Sequence, residues 1–260
     1  MEDSLKKRYS IKLAANIISG LINIIFLAIV PKALGPVAFG HFSYLQQFFS
    51  QIIAFIDGGT STAFFTKLSA KNERKELISF YFIVSICLLI FLMIFFSIID
   101  ITGHATHLLP GIPTDYLYLG LWFGFFTWFV QVLIKIADAY ALTVSVELIK
   151  ISHKFVMLGL LLYLIQRPIF DLTGYFYFHY FSLLSFLLLI TGLFFRKSVL
   201  SIELVTLKLA YNRLIKEFIK FSSSIFIFNI VAIGVSLFDI WLLQKTSGSI
   251  ETGFYGLAYS

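Results

Sequence analysis

Residues 78–99 read ISFYFIVSICLLIFLMIFFSII, twenty-two positions without a charged side chain. A helix needs about 20 apolar residues to cross the hydrocarbon core of a bilayer, so this run is long enough to span one. The pattern repeats outward in both directions. Apolar runs at 11–30, 42–65, 116–137, 148–165, 172–195 and 221–243 bring the expected spans to seven, and an eighth begins at Phe254. With 59% hydrophobic and 13% charged residues, the 260-residue chain carries more apolar surface than a soluble fold could bury. Within a bilayer every backbone polar group must be satisfied internally, and for runs of this length that means helices. The expected fold class is an all-α, polytopic membrane protein.

The charges fall unevenly about these runs. Seventeen of the twenty Lys and Arg lie in alternate connections, from Lys6 near the amino terminus to Lys220, leaving Lys32, Arg167 and Lys245 for the other side. By the positive-inside rule the amino terminus is expected in the cytoplasm. The net charge of +6 then sits in loops that face anionic lipid, so membrane lipids are expected partners and nucleic acid is not. The single cysteine, Cys87, has no partner for a disulfide or a thiolate metal site, and no cofactor is expected. The first run has a basic flank like a signal peptide. Its 20 residues and its Asn16 and Asn23 favour a retained helix.

The connections on the far side, 31–41, 100–115, 166–171 and 244–253, are too short to fold as domains. On the near side residues 196–220 are the longest connection. There Lys208, Asn212, Lys216 and Lys220 recur every four residues opposite Leu207, Leu214, Ile215 and Phe218. This pattern suits an amphipathic helix on the inner leaflet, serving either as a solvated linker or as a regulatory or partner-binding element. A shift of 213 residues superposes Lys7 on Lys220, Ser10 on Ser223, Asn16 on Asn229, Gly35 on Gly248 and Gly40 on Gly253, with Phe42 meeting Tyr255. The seventh span thus reads as the start of a second copy of the first, entering from the same side. Parallel halves of this kind, related by an axis along the membrane normal, are typical of transporters. The expected organisation is a six-helix half-bundle over 1–195, an amphipathic linker over 196–220 and the opening of a second half over 221–260, so the sequence reads as a fragment.

Polar residues inside the runs carry the functional signal. Ser43, Gln47, Ser50, Ala54, Asp57 and Ser61 fall at helical spacing on one stripe of the second span. A carboxylate near the bilayer centre costs about 2.5–3.5 kcal/mol, so Asp57 is expected to face protein or water, with Gly58 and Gly59 loosening the helix after it. The small residues of the stripe suit cavity lining or close helix packing equally. Asn16, Gly20 and Asn23 form a similar stripe in the first span, and Asn229, Ala232, Ser236 and Asp239 in the seventh. Asp239 also suits a hydrated interfacial acid. Thr127, Gln131, Lys135 and Asp138 share one side of the fourth span, where Lys135 can pair with Asp138 or snorkel. The sixth span offers Tyr175, His179, Ser182 and Ser185, with His179 either a titrating group or a hydrogen-bonded helix contact. His104 and His107 lack a third metal ligand. With no phosphate-binding Gly-Lys loop, nucleophile elbow or cluster of catalytic acids, transport is favoured over chemistry.

The run PKALGPVAFGHFSYLQ at 31–46, FIDGG at 55–59 and SGSIETGFYGLAYS at 247–260 resemble Wzx-type O-antigen and polysaccharide flippases of the multidrug, oligosaccharidyl-lipid and polysaccharide exporter superfamily. The resemblance implies an inner-membrane protein of two helical lobes about a hydrated cavity. Such proteins carry an undecaprenyl-diphosphate-linked oligosaccharide between leaflets by alternating access, alongside other membrane proteins of polysaccharide assembly. On that reading Asn16, Asn23, Asp57 and Asn229 offer hydrogen bonds to sugar or coupling ion. The other cavity candidates are Gln47, Ser50, Gln131, Lys135, His179 and Asp239. One departure stands out: a carrier of diphosphate is expected to place a cation in its cavity, whereas Arg8, Lys12, Lys135 and Lys154 read as lying toward the cytoplasmic edge. A cation-coupled drug or metabolite antiporter of the same superfamily is the near rival. A membrane polymerase or acyltransferase is the rival from another class, and it would want a larger external loop.

Overall fold

The computed structural model describes residues 5–70, 75–167, 170–200 and 211–259, and for 5, 75, 211–215, 217–230 and 259 the backbone alone. Every element among them is helical: α1 (Leu5–Leu34), α2 (Pro36–Asp57), α3 (Thr60–Ala70), α4 (Lys75–Ile101), α5 (Ala105–Leu108), α6 (Tyr116–Ala139), α7 (Thr143–Ile165), α8 (Leu172–Arg196) and α9 (Tyr211–Tyr259). Among the described residues five helices, α1, α4, α6, α7 and α8, are long and apolar enough to cross a membrane. Large side chains such as Ile86, Ile94, Phe155, Val156 and Leu188 lie more than half exposed on the outside of the bundle, as expected where lipid is the solvent.

Three sequence expectations are corrected. The connection read at 31–41 is helical on both sides of one residue, because Pro31 is carried inside the last turn of α1 and Pro36 starts α2 at once. Only Gly35, at φ 82° and ψ 162°, leaves the helix, a conformation that glycine adopts without Cβ strain. The connection read at 244–253 is likewise helical around Gly248 at φ 83°, so the eighth run starts well before Phe254. The second span, read as one helix over 42–65, is two: Gly58 and Gly59, at φ 53° and 84°, end α2 and turn the chain into α3. The α2–α3 unit and α9 are not among the five spanning helices. Of the linker read at 196–220, residues 201–210 with Leu207 and Lys208 lie outside the described residues; α8 stops at Arg196, and α9 begins at Tyr211 and passes residue 221 without a break.

α2 is the hub, with α6 on one side, α9 on another and α1 and α8 at its flanks. Its seat on α6 is made by glycine spacing. A Cβ on Gly120 would stand 2.5 Å from the Phe49 ring, and one on Gly124 would stand 2.9 Å from the Phe49 Cβ. Two small residues four apart thus open a groove that one phenyl ring fills, and without a hydrophobic driving force between helices such contacts decide membrane packing. Phe42 extends the core toward α8, with its ring 4.6 Å from Tyr175 and 5.3 Å from Phe176.

The bundle has two ends. The proximal end carries the amino terminus and the α6–α7 turn. There Arg8 Nη2 donates to the Asp138 carbonyl at 3.0 Å and to Thr143 Oγ1 at 3.2 Å, while Lys12 Nζ donates to Asp138 Oδ2 at 2.7 Å. The distal end carries Gly35, residues 102–115 and Gly248. There Asp171 caps α8 by accepting from the Gly174 N–H at 2.7 Å.

Candidate functional site

Between α1, α2, α7, α8 and the end of α9 lies a cavity of about 510 Å³. α2 contributes a polar arc to it, Gln46, Gln47, Ser50 and Gln51, because these residues cover a little over one helical turn on the face turned away from α6. Aromatic rings from α2 and α8 wall its distal part: Phe39, Phe42, Tyr175 and Phe178. Small and amide side chains with flat apolar faces beside them suit a ligand that carries hydroxyls and apolar ring faces together.

α7 and α1 supply the charge. Lys154 lines the cavity and stands eleven residues from each end of α7. At 1.5 Å per residue that is about 16 Å of helix on either side, near the middle of a bilayer-long helix. Its Nζ donates to Asn23 Oδ1 at 3.0 Å and to the Ser19 carbonyl at 3.4 Å. Lys150 and Glu147, one and two turns toward the proximal end, pair with each other at 3.1 Å. An ammonium carries three donors, and the described residues take two of those of Lys154. Beside it His153 Nε2 shares a 2.8 Å hydrogen bond with Ser185 Oγ, which fixes the imidazole against α8.

His179 also lines the cavity, in a niche of rings: it stacks on Phe42 at 5.1 Å and meets Tyr175 edge-on at 4.5 Å. Its Nε2 is buried without a hydrogen-bond partner among the described residues. The stripe read on the sixth span is therefore placed as a unit, since Tyr175, His179 and Ser182 line the cavity and Ser185 holds His153.

Asp57 is placed elsewhere. Its Oδ1 accepts from the Ser61 N–H at 3.0 Å, Thr60 Oγ1 at 2.7 Å and Tyr81 OH at 3.0 Å, and its Oδ2 accepts from Ser61 Oγ at 2.7 Å. It is 8% exposed. The carboxylate thus caps the first turn of α3 across the double-glycine break and ties that turn to α4. Lys135 joins the same cluster by donating to Ser61 Oγ at 2.7 Å. It does not pair with Asp138, which Lys12 and Thr143 take.

Of the ten candidate residues, four line the cavity: Asn23, Gln47, Ser50 and His179. Asp57 and Lys135 belong to the buried cluster at the break. Asn16, Gln131 and Asp239 are exposed and are not among the cavity-lining residues, and the side chain of Asn229 lies outside the described residues. The residue that sequence reading set aside is Lys154. Its signal was the helix start: taking α7 from residue 148 puts Lys154 near an edge, whereas the polar turn Thr143–Glu147 is helical and moves it to the centre. Among the described residues no three His, Cys, Asp or Glu side chains gather as a metal site.

Comparison with protein-family models, with curated proteins and with solved structures finds no match to this chain.

Proposed function

We propose that the chain is a transporter of the polysaccharide-flippase type, moving a lipid-linked oligosaccharide that carries a diphosphate between the leaflets of a bacterial inner membrane. The observation that carries this reading is Lys154: an ammonium at mid-helix, opening on a cavity whose walls include amides, hydroxyls and aromatic rings. A phosphate takes a charge-assisted hydrogen bond from the ammonium, amides bond sugar hydroxyls, and the rings of Phe42 and Tyr175 stack on the apolar faces of sugars. On this reading Lys154, which the sequence places toward the cytoplasmic edge, is the cation expected of a diphosphate carrier. The resemblance to Wzx-type proteins points the same way, with the amino terminus in the cytoplasm and the second lobe related to the first in parallel. The antiporter reading drew on Asp57 as a midplane acid open to a coupling ion, and the four hydrogen bonds that Asp57 accepts take away that support.

Reconstituted into vesicles with a fluorescent polyprenyl-diphosphate oligosaccharide, the protein is expected to move the probe to a face where an impermeant quencher reaches it. A polyprenyl oligosaccharide lacking phosphate is expected to stay. Equal movement of both probes, or movement of neither, would overturn the reading.

A further inference from the structure

The distal end of the cavity is closed by two helix segments that the 213-residue repeat sets on each other. Gly35 and Gly248 each interrupt a helix with almost the same backbone, φ 82° and ψ 162° against φ 83° and ψ −175°. Five residues on, Gly40 and Gly253 touch: a Cβ on Gly253 would lie 3.3 Å from both the Cα and the N of Gly40. A Cβ on Gly40 would lie 1.7 Å from the Ser249 carbonyl oxygen, which is no room at all. Three residues further along each copy, Gly256 meets Ser43, and a Cβ there would stand 2.7 Å from the serine Cβ and Oγ. Both pairs, Gly40 with Gly253 and Ser43 with Gly256, are equivalent positions of the two copies. Equivalent positions of two related segments touch only where the axis relating them passes, so the crossing marks that axis.

The same crossing is tied to residues 102–115 from both sides. Trp241 Nε1 donates to the His107 carbonyl at 2.9 Å, and Gln244 Nε2 donates to the Pro110 carbonyl at 2.8 Å and to Ser249 Oγ at 2.9 Å. From α2, Tyr44 OH donates to the Leu108 carbonyl at 2.5 Å. Phe39, Phe42, Ser43 and Gly256 stand at the crossing and line the cavity, so these helices form its distal wall.

We propose that the crossing of α2 with the end of α9 is the barrier between the cavity and the distal face, latched by Trp241 and Gln244 and opened by the two helices swivelling on Gly40 and Gly253. At Gly40 and Gly253 backbone meets backbone with no side chain between, so the segments can rotate about that point while staying in contact. Opening then requires the release of the hydrogen bonds to the carbonyls of His107 and Pro110. The purpose of the barrier rests on the transport reading above; its existence is tested apart from it.

Ser50, a cavity residue on the proximal side of the crossing, serves as reporter: Ser50→Cys in a Cys87→Ser background, full chain, in sealed vesicles, with a membrane-impermeant maleimide applied to the face opposite the amino terminus. With the latch intact, labelling is expected to be slow. Trp241→Phe with Gln244→Ala is expected to raise the rate about fivefold or more, the weight of the released hydrogen bonds. Gly40→Ala is expected to raise it as well, whereas Gly192→Ala, where nothing lies within 4 Å of the added methyl, leaves it unchanged. Equal labelling with and without the latch overturns the proposal, and the latch variant keeps it exposed to failure even where Gly40→Ala does not fold. Latch-dependent labelling in vesicles that move no probe would sink the transport reading and leave the barrier standing. Probe movement with latch-independent labelling would do the reverse.

Discussion

Asp57 and Lys154 are both ionisable groups set into the apolar body of the bundle, and the fold treats them in opposite ways. A carboxylate offers about four lone-pair sites, and Asp57 accepts four hydrogen bonds from Thr60, Ser61 and Tyr81, three on Oδ1 and one on Oδ2. Lys154 opens on a cavity, with one of its three donors left by the described protein groups. The lesson is that charge inside a membrane protein does not by itself mark function. What matters is whether the protein's own groups or an open space meet the cost of desolvation.

The contrast is broken most sharply by Asp57→Ala. Four donors lose their acceptor and the Lys135 ammonium loses its nearby counter-charge, so the purified protein is expected to lose about 3 kcal/mol or more of stability, read as a large drop in thermal unfolding temperature. Asn at the same position keeps one acceptor oxygen and is expected to lose less. An Asp57→Ala protein of unchanged stability with abolished transport would move Asp57 into the class of Lys154.

Next comes Lys154→Gln. It removes a charge-assisted contact worth about 1.5–3 kcal/mol, which corresponds to a loss of about 10- to 100-fold in the rate of probe movement. Its unfolding temperature is expected to stay close to that of the parent, and a drop like that of Asp57→Ala would erase the distinction between the two sites. Smaller again is Gly58→Ala, which forces an L side chain to φ 53° at the end of α2. Its expected cost is about 1 kcal/mol, seen as a modest shift in denaturant midpoint. The smallest effect is expected from Asn23→Ala, which frees one more donor of Lys154. Probe affinity in a binding titration should change only a few-fold, with stability unaltered.

The apolar runs at 78–99, 116–137 and 172–195 were legible because each is long, nearly uncharged and bounded by turn residues, and their helices α4, α6 and α8 follow them closely. The polar stripe on α2 was legible in its first half, where Gln47 and Ser50 reach the cavity. Its second half was not, since helical spacing projects a straight cylinder and Gly58 and Gly59 bend the chain out of it. Gly35 and Gly248 hid in the same way: a Gly-Pro pair or a Ser-Gly-Ser run reads as a loop, yet one residue at positive φ is enough to join two helices. Lys154 was misplaced by the habit of starting a span at its first apolar residue. The pairing of Lys12 with Asp138 across 126 positions lay beyond any local reading.

Within the 27 residues of α4 the uncharged run 78–99 makes a rod about 33 Å long against about 30 Å of hydrocarbon, and the helix packs along α3, α5 and α6, with Phe96 and Tyr81 reaching Phe49 and Asp57 of α2. A rod that overshoots its slab leans over until the two lengths agree. The protein should therefore favour thicker bilayers, in which α4 stands upright, and longer acyl chains should draw its slope toward the normal without disturbing the helices on the opposite side.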